Sequence, residues 1–142
     1  MIYNNAASGG SNERADVARR IVGLTETIAE AIDYMLAQFE AAHMDLDMDM
    51  GIPAILIKDA GDGLISLENA VSAIAEPAGL GADDIRKLDR HFGELTERLD
   101  MLVDACVGYR AAELPALGAA LRDSFVEYEG VISRCFRKMT VM

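Results

Sequence analysis

The chain has 142 residues, enough for one domain whose core needs neither a metal nor a disulfide to hold it. Half of the residues are apolar, but Trp is absent and Phe and Tyr number four each, so Ala, Leu, Ile, Val and Met must do most of the packing. The formal net charge of −11 argues against direct binding to nucleic acid, which needs clustered Lys and Arg on the phosphates.

The acidity is uneven. Residues 45–104 carry fourteen Asp and Glu against five Lys and Arg, while residues 105–142 carry four against five. Such a chain repels its own copies or meets a basic partner. Its first residues, MIYNNAASGGSNER, contain no basic stretch followed by an apolar one, so no signal peptide is expected. No apolar run approaches the roughly 18 residues of a membrane span. A soluble, cytoplasmic protein with no membrane partner is the expectation.

Residues 1–11 read as a flexible lead-in, and Ser11 or Asn12 as the cap of a first helix over about 12–43. Val17, Ile21, Leu24, Ile28, Ala31 and Met35 recur in 4–3 spacing, with Ala42 continuing the stripe beyond Gln38. His43 to Gly51 reads as a loop.

The next segment has two local readings. AILIKDAGDGLISL resembles two short strands around a glycine turn. Yet Ile57, Ala60, Leu64, Leu67, Val71, Ile74 and Ala78 keep the 3–4 alternation unbroken. Pro53 suits a first helical turn, and Pro77 a helix end. Gly61 and Gly63 each cost roughly 1 kcal/mol relative to Ala inside a helix. The uninterrupted stripe outweighs them and predicts a helix over 53–76, weakened or broken near 60–63.

After a turn at Gly79 and Gly81, Asp83 and Asp84 suit the positive end of a third helix over 83–108. Its stripe is Ile85, Leu88, Phe92, Leu95, Leu99, Leu102, Cys106 and Tyr109, and Gly108 is placed to stop it. Pro115 opens a fourth helix over 115–139, with Leu117, Leu121, Ser124, Tyr128, Val131 and Cys135 in register. Arg134, Arg137 and Lys138 complement the negative end of its dipole. The fold expected is an all-α, antiparallel up-down-up-down four-helix bundle forming one domain over 12–142.

Candidate metal motifs are incomplete. If Gly63 takes the sixth position of a calcium-binding EF-hand loop, Lys58, Ala60 and Asn69 fall where oxygen ligands are required. Asp45, Asp47 and Asp49 alternate like ligands, but Gly51 comes one residue late and Leu56 replaces the terminal Glu. His43 with Met44, Met48 and Met50 offers soft donors for copper, though such Met residues more simply cover the end of a core. Glu40-Ala-Ala-His43 copies one half of a di-iron motif and His91-Phe-Gly-Glu94 reverses it, but the chain has only two His. His91 as a phosphoryl acceptor lacks an activating neighbour in its local sequence. No nucleophile set assembles from these residues. No enzyme activity, cofactor or metal is therefore expected. Cys106 and Cys135 lie roughly 28 Å apart along an antiparallel hairpin, beyond the ~7 Å a disulfide allows between Cα atoms, and read as core residues.

One feature exceeds what a simple bundle needs. Phe125, Ile132, Phe136 and Met139 form a second apolar row on the fourth helix, extended by Val141 and Met142. Either that helix is central and covered by its neighbours, or the row is a face for a partner helix or a second copy. On the latter reading these four are the partner-binding residues. The function expected is that of a non-enzymatic interaction protein, such as an adaptor, chaperone or regulator, with homodimerisation left open. A metal- or ligand-binding bundle and an acidic decoy of a nucleic-acid-binding protein are the alternatives.

Overall fold

A computed structural model describes the backbone of residues 2–42, 50–75 and 79–140, and side-chain surroundings for 15–41, 50–75 and 79–136. The described residues are 94% helical with no strand. The four helices are α1 (Ile2–Ala42), α2 (Gly51–Ala75), α3 (Ala82–Val107) and α4 (Leu114–Thr140). A 3-10 turn, Ala111–Glu113, leads into α4. The hairpin alternative for residues 55–66 is thereby excluded. No described helix is long and apolar enough to cross a membrane.

α1 runs back to Ile2, so the expected lead-in over 1–11 is helical from its second residue and Ser11 does not mark the start. No Pro interrupts residues 2–14, and extending a helix already nucleated by packed turns costs little per residue. The buried face of α1 is also offset from the expected stripe. Ile21, Ile28 and Met35 are buried as expected, but their companions are Ala18, Thr25, Ile32 and Phe39. Val17 and Leu24 are only partly buried, and Ala31 is exposed. The larger side chains Ile32 and Phe39 displace Ala31 and Gln38 from the core. Thr25 can join them because its hydroxyl donates to the Val22 carbonyl at 2.6 Å, so no polar atom is stranded.

α2 is one continuous helix through Gly61 and Gly63, with no break near 60–63. A β-carbon at Gly61 would lie 3.1 Å from Leu99 Cδ2 on α3, and one at Gly63 would lie 3.2 Å from Ile28 Cγ1 on α1. Close approach of two neighbours, not a turn, explains both residues. Lys58 and Asp62 pair at 2.8 Å across the same stretch, one helical turn apart. Residues 59–66 thus form helix and not a calcium loop.

α3 ends in a Schellman motif: Arg110 N–H donates to the Ala105 carbonyl at 2.8 Å, and Tyr109 N–H to that of Cys106 at 3.2 Å. The left-handed residue is Tyr109, with φ of 56°, one place after the glycine expected to end the helix. Tyr109 therefore leaves the stripe and is 80% exposed.

α4 lies along both α1 and α3, and α1 also packs along α2. Asp33 and Arg122 pair at 2.5 Å between α1 and α4, and Phe92 and Tyr128 meet between α3 and α4 at a centroid distance of 6.0 Å. Gly118 faces Phe39 and Leu36 while Arg122 meets Asp33, so α1 and α4 run antiparallel, as the up-down-up-down bundle requires. Phe125, Ile132 and Phe136 are 1%, 1% and 0% exposed within this one chain. These three side chains belong to the core, because a helix packed on two neighbours must be apolar over a wide arc. They are covered within the one chain; the surroundings of Met139 lie outside those described.

Candidate functional site

The α2–α3 seam is packed far less closely than the other three between neighbouring helices. At one end Ile57, Gly61, Leu99 and Cys106 form a floor, and Ile65, Val103 and Val107 rise beside it, around a cavity of about 360 Å³. Ile65, Val103 and Val107 are 55%, 42% and 73% exposed. Exposed large apolar residues also include Ile52, Ile55 and Met101 on the same two helices and Tyr109 just beyond α3, whereas only Tyr34 and Val126 of the exposed set lie elsewhere. Apolar exposure is therefore concentrated on α2 and α3, and Ile65, Val103 and Val107 share the face that lines this cavity, as at association surfaces.

Farther along the same seam lies a second cavity, of about 250 Å³, with a different lining. Glu68 and Ser72 from α2 and Asp89 from α3 surround it, with Phe92 and the buried Tyr128 behind them. Ser72 donates to Glu68 Oε1 at 2.6 Å. The groove is thus apolar at one end and acidic at the other. Burial pushes the Tyr128 phenol well above its ordinary value, and the charges of Glu68 and Asp89 push in the same direction.

This environment gives a pH prediction. The folded state keeps a Tyr128 proton that the unfolded state releases, so its contribution to stability is complete below about pH 10, the ordinary phenol value. Above that pH it is lost, at up to about 1.4 kcal/mol per pH unit. Tyr128→Phe is expected to flatten this alkaline decline, measured by urea melts of both proteins at several pH values between 9 and 11.

Cys106 lines the apolar end and its thiol faces the Met50 carbonyl at 3.6 Å. Both cysteines are free and partly buried, and burial pushes both thiols up. Glu40 is exposed, as expected. His43 and Asp45, Asp47 and Asp49 lie outside the described residues. His91 and Glu94 do come together, on the α4 side of α3, joined there by Glu127.

No family model, curated protein or solved structure matches the chain.

A single stripe on each of α2 and α3 does not reveal the groove, because Ile65, Val103 and Val107, which line it, all fall off those stripes. The apolar excess that made AILIKDAGDGLISL resemble strands is the signal of a second face on α2.

Proposed function

We propose that this protein is a non-enzymatic interaction protein that receives an amphipathic helix of a partner chain in the α2–α3 groove. The observation that carries this reading is the open seam whose two ends differ, one apolar and one acidic. Helix-in-groove recognition uses apolar anchors at i, i+3, i+4 and i+7. The groove runs from Ala54 to Ala75, roughly 30 Å at 1.5 Å per residue, which five or six helical turns would span. Anchors of the partner would replace water over Ile65, Val103 and Val107, while Lys or Arg at its other end would meet Glu68 and Asp89. The dense negative charge of residues 45–104 would steer a basic partner toward this side. A second copy of the chain fits less well, because each would bring its own acids to the same surface.

Affinity capture from the source cell, comparing wild type with an Ile65→Asp, Val103→Asp double variant, tests this reading. Both positions are exposed, so the double variant should stay folded. Wild type is expected to retain a stoichiometric polypeptide containing a basic amphipathic helix, and the double variant to hold it at least about tenfold more weakly. A synthetic peptide of that helix should bind wild type and slow the labelling of Cys106. Retention by the double variant, or equal loss in Val126→Asp on another face, would defeat the proposal. A salt-resistant dimer through this groove in sedimentation would replace it with self-association.

A further inference from the structure

His91 and Glu94 sit one helical turn apart on α3, and Glu127 reaches them from α4, outside the groove. We propose that these three residues bind a divalent transition-metal ion of the zinc class, which ties α3 to α4. The site is separate from the partner groove and does not depend on it.

His91 Nδ1 lies 3.7 Å from Glu94 Oε2 and 3.8 Å from Glu127 Oε2. The three donor groups offer atoms that all fall within 4.8 Å of one another. Nδ1 is buried and has no hydrogen-bond partner, an arrangement that native structures rarely leave unexplained. Both contacts are too long for a hydrogen bond, which ends near 3.2 Å. They are close to what coordination requires: bonds of about 2.0–2.1 Å to a tetrahedral ion put neighbouring ligand atoms about 3.4 Å apart. The remaining few tenths of an ångström on the two His91 contacts, and the closer approach of the two carboxylates to each other, can come from Glu94 and Glu127, whose side chains are 44% and 63% exposed, while the His91 side chain, 14% exposed, is held in place.

The donor set selects the class of ion. An imidazole nitrogen with two carboxylates suits zinc and its neighbours, whereas calcium and magnesium favour oxygen alone. Three protein ligands leave a fourth position for water on the exposed side of the seam. Binding only to the packed α3–α4 pair, the ion would favour the folded state by mass action.

The test uses the full chain stripped of metal by chelation, then titrated with Zn²⁺ by calorimetry and with Co²⁺ by visible absorption. The expected result is one ion per chain, the intense visible bands of low-coordinate cobalt, and a rise in melting temperature with Zn²⁺. Loss of a direct ligand should weaken binding by about 100-fold or more, since even groups that only orient ligands are worth about 10–100-fold. His91→Ala and Glu127→Gln are both measured; Glu127 is exposed, so its variant should keep the fold if His91→Ala does not. No stoichiometric uptake by wild type overturns the proposal. So does unchanged affinity in a folded Glu127→Gln variant, which would put the ion on other donors, such as the cysteines or Asp45–Asp49.

Discussion

Phe136→Asp is expected to prevent folding or to remove at least about 5 kcal/mol of stability, a loss comparable to the whole stability of many domains. Two effects act together. Phe136 is fully buried among the core residues of the bundle, and truncating a buried Phe alone costs about 3–5 kcal/mol. The new carboxylate would also have to enter that core without a counter-charge, or drag the end of α4 away from its neighbours. Circular dichroism and thermal melting read the outcome directly. Val126→Asp supplies the comparison on the same helix: Val126 is 52% exposed, and its replacement should change stability by less than about 0.5 kcal/mol. A folded Phe136→Asp monomer of unchanged stability would show that the second row of α4 is not core, and would return it to consideration as a docking face.

The largest gain in stability is expected from glycines that touch nothing. Gly23, Gly93 and Gly130 lie inside α1, α3 and α4, and a β-carbon at any of them would meet no atom within 4 Å. Each Gly→Ala change should add about 0.4–1 kcal/mol by restricting the unfolded chain. The three sites are on different helices, so their effects should add to about 1.2–3 kcal/mol. For a chain of this size that is a rise of roughly 4–10 °C in melting temperature. Gly118 is the internal control. A β-carbon there would sit 3.1 Å from Phe39 Cδ2 and 3.2 Å from Leu36 Cδ1, so Gly118→Leu should force α1 and α4 apart and cost about 1–3 kcal/mol. Equal responses at Gly118 and Gly93 would mean that the α1–α4 contact is looser than described.

The contrast between these glycines shows where sequence reasoning ends. Gly61, Gly63, Gly93 and Gly118 look alike in a helical pattern, each a local penalty relative to Ala. Their meanings separate only when Leu99, Ile28, Phe39 and Leu36 arrive from other helices. The slip in α1 has the same origin. Stripes beginning at Val17 or at Ala18 share Ile21, Ile28 and Met35, so those residues do not choose between them. Ile32 and Phe39 decided it by offering more apolar surface to the neighbours than Ala31 and Gln38 could.

What the sequence by itself determined was the number and type of elements, with ends within about two residues for α2, α3 and α4. The reason is physical: 3–4 spacing of apolar residues is a local property of one helix, written within a few consecutive turns. It also determined the formal net charge of −11 and its concentration in residues 45–104. Only the tertiary structure decided that Phe125, Ile132 and Phe136 on α4 are covered, that α2 and α3 leave a groove, and that Glu127 stands beside His91. Each depends on which helix lies against which and how closely, between residues that no single helical stripe connects. Periodicity marks an apolar face without naming what will cover it.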